Sequence, residues 1–311
     1  MATSGVVTFN ITRNEIITDA LRLCQAHGIG QTLSAESVSD GTRRLNVMIK
    51  AWQAQGLHLW RKTEATLFLT ADQQSYTLSA TGDRATLSYD ETTLNGAHSS
   101  GATTIEVTST AGMTAADLVG IELTDGTMYW TTVSVVTDSD TFTIPAAGLT
   151  GAASDGGKVY SFTSKIARPL RILDARRVVD GNEIPIQLIS RKEYFDLPEK
   201  DSAGVPVLAF YDPQLTTGKL YIWPASDNAV DLIKFTYERP IEDFVSTSDN
   251  PDFPIEWAEA ITYNLAVRLY PEYGNDATRF QGLKAEAAEY LSLAMAFDSE
   301  QESIFFQPGR A

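Results

Sequence analysis

The strongest constraint on the fold of this chain is an apolar repeat within residues 252–274. Asp252 and Pro254 favour the start of a helix. An acidic side chain can accept hydrogen bonds from the free N–H groups of the first turn, and the proline ring fixes a φ angle that suits a helix. Pro271 and Gly274 are residues that end helices. Between them, four large apolar side chains recur at a spacing of four residues, which predicts a helix with one buried face: Trp257, Ile261, Leu265 and Leu269.

Three more helices are predicted from capping patterns. Asp276 can cap a second C-terminal helix, which would complete an αα-hairpin. Near the N-terminus, Thr12 and Glu15 form a capping box that opens a helix over residues 12–27, and Ser34 opens the next helix. We predict that these N-terminal and C-terminal helices pack as one four-helix unit.

The chain between the helices has the composition of β structure, with β-branched runs separated by turn signals such as Asp125-Gly126. Two neighbouring strands are predicted within residues 64–78, around a turn at 71–74, and further strands over residues 171–179, 184–189, 207–211, 219–223 and 232–238. Residues 83–162 are rich in Thr, Ser, Ala and Gly and contain ten acidic residues against Arg84 and Lys158, a net charge of −8. Half of the charge of the whole chain, −16, therefore lies on this segment. We predict that it is an exposed, separately folded insertion with a small β-sandwich or barrel fold.

The predicted fold class is α+β. A helical domain made of the N-terminal and C-terminal helices accompanies an antiparallel β domain, which carries the inserted small all-β domain. The predicted boundaries are 1–62 for the N-terminal helices, 63–82 and 163–250 for the β domain, 83–162 for the acidic insertion, 251–298 for the αα-hairpin and 299–311 for a C-terminal docking tail.

Composition excludes several classes of function. A net charge of −16 and a pI near 4.6 argue against a protein that grips nucleic acid, because phosphate binding depends on Lys and Arg. If the protein lines a channel, its acidic residues would repel the DNA backbone, so that DNA passes without binding. Cys24 is the single cysteine, which is compatible with a reducing cytoplasm. We expect no membrane association, since no signal peptide or long apolar run is present.

Catalytic motifs are mostly missing, and we predict neither enzymatic activity nor a cofactor or metal site. No HExxH, CxxC, GxSxG, P-loop or GxGxxG pattern occurs. Glycoside hydrolysis requires two carboxylates across a sugar bond, and Glu256 with Glu259 or Glu286 with Glu289 could share a helix face. The helix macrodipole explains the first pair better, and a solvated helix face explains the second pair better. Two alternatives therefore stay open: a tail-borne peptidoglycan hydrolase, and a carbohydrate-binding module in the insertion whose Trp130 stacks on sugars.

Short motifs along the chain resemble, in their order, the head-to-tail adaptor family of short-tailed bacteriophages, which includes tail accessory and tail tubular proteins. The match covers roughly the first 80 residues and residues 165–296, and the central segment is a departure from the shorter members. The motifs are Leu45-Asn46, Met48, Trp52, Gly56-Leu57, Trp60, Arg168-Pro169, Pro185-Ile186, Glu193-Tyr194, Leu197-Pro198, Tyr211-Asp212-Pro213-Gln214, Gly218-Lys219-Leu220-Tyr221-Ile222-Trp223-Pro224 and the helix over 252–274.

The resemblance implies a structural, non-enzymatic connector of the virion, made in the host cytoplasm and located in the tail or neck. Family members form a ring of twelve copies below the portal protein, joined to the tail nozzle or tube protein. The ring surrounds a channel for DNA ejection, and the DNA passes without specific binding. The helices would face the portal, and the β domain would face the tail.

Two segments are candidates for docking. The C-terminal tail would carry its contacts on Ile304, Phe305, Phe306, Gln307 and Arg310, because three adjacent large apolar residues rarely stay exposed. Family resemblance favours the portal or a neighbouring subunit as its partner, and folding back onto its own domain is the alternative. The second candidate is a possible interface loop, which a simple turn would explain equally well. It comprises Tyr211, Asp212, Pro213 and Gln214.

Overall fold

The computed structural model describes residues 4–6, 8–26, 28, 30–55, 59–179 and 181–298 of this 311-residue chain. They form two compact units, one within Met1–Arg61 and Ile241–Ala311 and the other within Lys62–Pro240. The α-helices of the described part are α1 Arg13–Leu23, α2 Ala35–Gln53, α3 Arg191–Phe195, α4 Ala258–Tyr273 and α5 Ala277–Phe297. The mixture of these helices with mainly antiparallel sheets confirms the α+β class.

The first unit has a single hydrophobic core to which α1, α2, α4 and α5 all contribute. The predicted stripe from Trp257 to Leu269 is confirmed, because its four side chains are fully buried; Trp257 immediately precedes α4, and the other three lie on it. The Trp257 ring lies 5.8 Å from that of Trp52, 5.2 Å from that of Trp60 and 5.6 Å from that of Phe253, measured between centroids. This aromatic cluster joins the end of α2 to the start of α4.

Three of the predicted helix caps of the first unit, those at Thr12, Ser34 and Asp276, are confirmed. Thr12 and Glu15 form the capping box of α1, and the hydrogen bonds from Thr12 to the Glu15 carboxylate hold the pKa of Glu15 below its ordinary value. Ser34 accepts from the Ser37 N–H at the start of α2, and Asp276 accepts from the Thr278 N–H at the start of α5. Local side-chain acceptors therefore set where these helices begin.

Two details of the 252–274 prediction are wrong. Pro271 does not end the helix; it lies inside α4, where a missing N–H in the last turn removes only one backbone bond. The helix ends at Gly274, and a Cβ there would lie 2.3 Å from the Tyr270 ring. Asp252 does not cap the first turn; its carboxylate accepts from the Glu242 N–H, and a 3-10 turn, Ile255–Trp257, precedes α4.

Two helical glycines make a matched test of packing in the first unit. A Cβ on Gly41 in α2 would lie 2.7 Å from Cγ2 of Ile17, whereas a Cβ on Gly282 in α5 meets no atom within 4 Å. We expect Gly282→Ala to raise the free energy of unfolding by about 0.5–1 kcal/mol through helix propensity. Gly41→Ala should lower it by about 1–3 kcal/mol through overpacking. Urea denaturation of both variants measures the difference, and a stabilised Gly41→Ala would contradict the close packing of α1 on α2.

The strands of the second unit are β1 Lys62–Phe68, β2 Ser75–Leu78, β3 Ala85–Thr86, β4 Asp90–Thr93, β5 Thr104–Glu106, β6 Leu118–Glu122, β7 Met128–Thr132, β8 Val135–Val136, β9 Thr141–Thr143, β10 Lys158–Phe162, β11 Arg171–Val179, β12 Asn182–Leu188, β13 Ala203–Gly204, β14 Leu208–Pro213, β15 Gly218–Trp223, β16 Ala225–Ser226 and β17 Leu232–Glu238.

The largest sheet of the second unit has the order β2-β15-β14-β12-β11-β17-β1-β3. Its pairs are antiparallel except β12 with β14, whose parallel pairing needs a crossover, and α3 lies in that crossover. The strands β1 and β2 follow each other in the chain but do not pair, since β1 pairs with β17 and β2 with β15. The predicted strands over residues 171–179, 184–189, 207–211, 219–223 and 232–238 correspond to β11, β12, β14, β15 and β17.

Strands β4 to β10 form two smaller sheets, β4-β10-β6-β7 and β5-β9-β8, which enclose their own core. Asp125-Gly126 makes the predicted turn between β6 and β7, with Gly126 at φ +80°. A separate aromatic cluster links this part to the large sheet. Its central ring is Phe68 of β1, whose neighbours are Tyr89, Trp130, Tyr160 and Phe162 at centroid distances of 5.0–5.5 Å.

Candidate interaction surfaces

The segment from Tyr211 to Gln214, predicted as a possible interface loop, lies at one end of a β-hairpin. Tyr211, Asp212 and Pro213 belong to β14 and pair with β15, so only Gln214 lies in the turn. The Tyr211 O–H donates to the Pro169 carbonyl, and burial raises the pKa of Tyr211. Asp212 forms an ion pair with Arg191. The first three residues are therefore held by strand pairing and side-chain contacts, and their role as an interface stays a prediction.

The turn itself presents a residue that the sequence reasoning missed. Gln214 donates its N–H to the Thr217 carbonyl, and its own carbonyl accepts from the Arg168 guanidinium at 3.1 Å. These bonds hold the turn while Leu215 at its tip is 93% exposed. An apolar residue in a tight turn between two strands was the available signal. The geometry suits insertion of Leu215 into an apolar pocket of a partner.

The predicted tail residues Ile304, Phe305, Phe306, Gln307 and Arg310 lie outside the described residues, as does everything after Asp298. The tail assignment therefore stays a prediction. What the structure describes is the helix that leads to it, α5, whose last turns carry Leu293 and Phe297 at 61% and 66% exposure.

A groove in the helical unit is the second feature that the sequence reasoning missed. It has a volume of ≈ 560 Å³ and is lined by α1, by the first two turns of α4 and by the segment before α1. Its apolar walls include Phe9, Ile11 and Leu23, and Thr262 and Tyr263 contribute from α4. Phe9 is 78% exposed, so a large aromatic side chain stands at the groove without a covering neighbour among the described residues.

The rim of this groove is charged. Asp19 and Arg22 of α1 form an ion pair at 3.1 Å, and Glu259 of α4 lines the opposite side. Volume, apolar walls and a few polar groups at the edge are typical of a site that receives a side chain or small apolar group. Periodicity alone could not reveal it, because Phe9 and Ile11 precede the first helix.

An arginine cluster lies elsewhere on the helical unit. Arg43, Arg44 and Arg268 surround a cavity of ≈ 240 Å³ between α2 and α4. Arg44 forms ion pairs with Asp40 and Glu272, whereas burial lowers the pKa of the Arg268 guanidinium. Arg43 also pairs with Asp40, so the three guanidinium groups and the two carboxylates leave a net charge of +1 beside this cavity, on a chain whose net charge is −16.

The residues considered for chemistry lie in ordinary structural positions. Glu256, Glu259, Glu286 and Glu289 are all exposed to solvent. The Trp130 ring packs on Phe68 and Phe162, with the Arg84 guanidinium 5.0 Å from its centroid, so protein neighbours occupy it.

Three aspartates within residues 83–162 stabilise turns. Asp117 accepts from the Thr114 N–H, Asp125 from the Thr127 N–H and Asp138 from the Asp140 N–H. Within the described ranges, no three His, Cys, Asp or Glu side chains converge as metal ligands would. The helices that the structure describes include none with the length and apolar character to cross a membrane.

The described residues form an α+β fold that carries an apolar groove, an exposed apolar turn and an arginine cluster on its surface. Residues 11–309 match the family model described as SU10 adaptor protein. Because the match covers nearly the whole chain, this protein belongs to the SU10 adaptor protein family, and the resemblance to phage head-to-tail adaptors is confirmed. It is a phage structural adaptor. No curated protein matches the chain.

Proposed function

We propose that this chain is a non-enzymatic connector that forms a ring below the portal and joins it to the tail nozzle or tube. The observation that carries the proposal is the family match over residues 11–309, which spans both units and the insertion. Twelve copies and a virion location in the neck are taken from resemblance to the adaptor family. A closed ring requires two different surfaces on each copy, so that each subunit contacts its neighbours head to tail.

Charge supports a channel that conducts DNA without binding it. The chain carries 40 acidic and 24 basic residues, so a ring of identical copies repels the phosphate backbone during ejection. The same charge opposes association of the copies. Positive groups at a subunit interface would offset this repulsion, and the cluster of Arg43, Arg44 and Arg268 is suited to that role.

We also propose which part of the chain contacts which partner. The helices α1, α2, α4 and α5 act as one four-helix unit directed toward the portal, with the tail over 299–311 as its docking segment. The β domain faces the tail protein and carries 83–162 as an inserted domain. The hairpin end formed by Tyr211, Asp212, Pro213 and Gln214, with Leu215 at its tip, serves as an interface, since an exposed apolar tip suits a partner pocket.

Removal of the tail tests the docking role. Deletion of residues 300–311 should leave the cores of both units intact, because no described core residue lies beyond Ala294. We expect the deleted protein to stay folded and to bind purified portal at least about tenfold more weakly, a loss of about 1.4 kcal/mol. The triple change Ile304→Ser, Phe305→Ser, Phe306→Ser should reproduce the loss, while Gln307→Ala alone should not. Unchanged portal affinity would refute the assignment.

A further inference from the structure

We propose that, in the unassembled chain, the apolar tail residues Ile304, Phe305 and Phe306 dock in the groove between α1 and α4 of their own helical unit. The groove has ≈ 560 Å³ of space, apolar walls and an aromatic side chain, Phe9, that is 78% exposed. Exposed apolar surface of this kind marks a binding site. The inference concerns the isolated chain and does not depend on the proposed connector role.

The antiparallel packing of α5 on α4 brings the chain end to this groove. The Tyr270 and Phe280 rings stack at 5.0 Å near the turn between the helices. Further along, the Tyr263 and Tyr290 rings lie 4.7 Å apart. Continuing this register places Phe297, the last residue of α5, beside the first turn of α4. That turn contributes residues to the wall of the groove, so the tail begins where the groove lies.

Chain length permits the docking. Ile304 lies six positions after Asp298, and an extended chain spans about 3.3–3.6 Å per residue, so the apolar segment reaches roughly 20 Å from the end of α5. The groove covers α4 from Ala258 to Tyr263, a rise of only about 8 Å at 1.5 Å per residue. The segment can therefore reach the whole length of the groove without any change in the helices.

Tethering and charge favour the tail of the same chain over that of a second copy. A short flexible linker holds a segment near its site at an effective concentration of the order of millimolar. A second copy carries the same net charge of −16 and is repelled. Arg310, four residues after Phe306, also complements Glu259 on the rim of the groove, where Asp19 is already paired with Arg22. The apolar residues of the tail and of the groove would then be shielded from solvent until another protein binds the tail.

An engineered disulfide tests the docking directly. Arg22→Cys places a thiol on the groove rim, and Gln307→Cys places one next to Phe306 while leaving the apolar triplet intact. The native Cys24 does not compete, because it is buried and burial raises its pKa to about 11. In dilute protein with diamide as oxidant, we expect a monomeric product whose mass falls by two hydrogens and whose engineered thiols no longer react with maleimide.

The matched control is Arg43→Cys with Gln307→Cys. Arg43 pairs with Asp40 three residues earlier on α2, as Arg22 pairs with Asp19 on α1, but it lies outside the groove. We expect the groove pair to close at least about tenfold faster than the control, as tethered contact requires. Adding Phe305→Ser and Phe306→Ser to the groove pair should reduce its rate to that of the control. Equal rates for the two pairs, or a product consisting of disulfide-linked dimers, would overturn the proposal.

Discussion

Replacement of Trp257 with alanine is expected to lower the free energy of unfolding of the helical unit by about 3–5 kcal/mol. The side chain is fully buried, and its ring contacts three other aromatic rings, those of Trp52, Trp60 and Phe253. Its removal leaves a cavity where α2 meets α4, and a core this closely packed relaxes only in part. Guanidinium denaturation followed by far-UV circular dichroism, which reports the helices, measures the loss.

Phe297→Ala is the matched control for this change. It also removes a large aromatic side chain from the helical unit, but Phe297 is 66% exposed at the end of α5. Its effect should stay within about 0.5 kcal/mol, as for most surface substitutions. Equal effects of the two variants would show that the aromatic cluster does not stabilise the unit.

Replacement of Phe68 with alanine is expected to destabilise the β unit by about 3–5 kcal/mol. Phe68 belongs to the large sheet, and its ring lies 5.0 Å from that of Trp130 and 5.5 Å from that of Phe162, both on the smaller sheet β4-β10-β6-β7. The loss should therefore also loosen the contact between the two sheets. Hydrogen exchange by mass spectrometry should show faster exchange in β7 and β10, with less change in the three-stranded sheet β5-β9-β8.

Leu215→Ala serves as the control for Phe68→Ala. Leu215 is in the same unit and is 93% exposed, so the free energy of unfolding should change by no more than about 0.5 kcal/mol. If Phe68→Ala left the exchange of β7 and β10 unchanged, the smaller sheets would be independent of the aromatic contact.

Much of the fold could be predicted from local signals. A short window of sequence is enough to predict the capping box of α1, the apolar repeat that leads into α4, and the strands β11 and β17. The reason is that side-chain caps and hydrophobic periodicity act within a single element. The Pro271 prediction failed because a proline in the last turn costs one backbone hydrogen bond, and no local pattern shows whether the packing of neighbours such as Leu269 and Tyr270 offsets that cost.

The features that could not be predicted depend on residues far apart in the chain. The groove combines Phe9 with Thr262, and the aromatic cluster of the β unit combines Phe68 with Trp130 and Phe162. No periodicity within one element encodes such pairs. Trp130 was considered for sugar stacking because its neighbours were not known. The order of strands in a sheet also depends on residues far apart in the chain. The sequence predicted that β1 and β2 are neighbours because they are adjacent in the chain, but each pairs with a distant strand.

The central claim is that this chain assembles on a portal as a ring. The direct test mixes the purified full-length chain with purified portal and weighs the product by native mass spectrometry. The account predicts a single defined complex whose mass corresponds to one portal ring and twelve copies of this 34.0 kDa chain. A folded chain that stays unbound at micromolar concentration, or that binds with no fixed stoichiometry, would contradict the account.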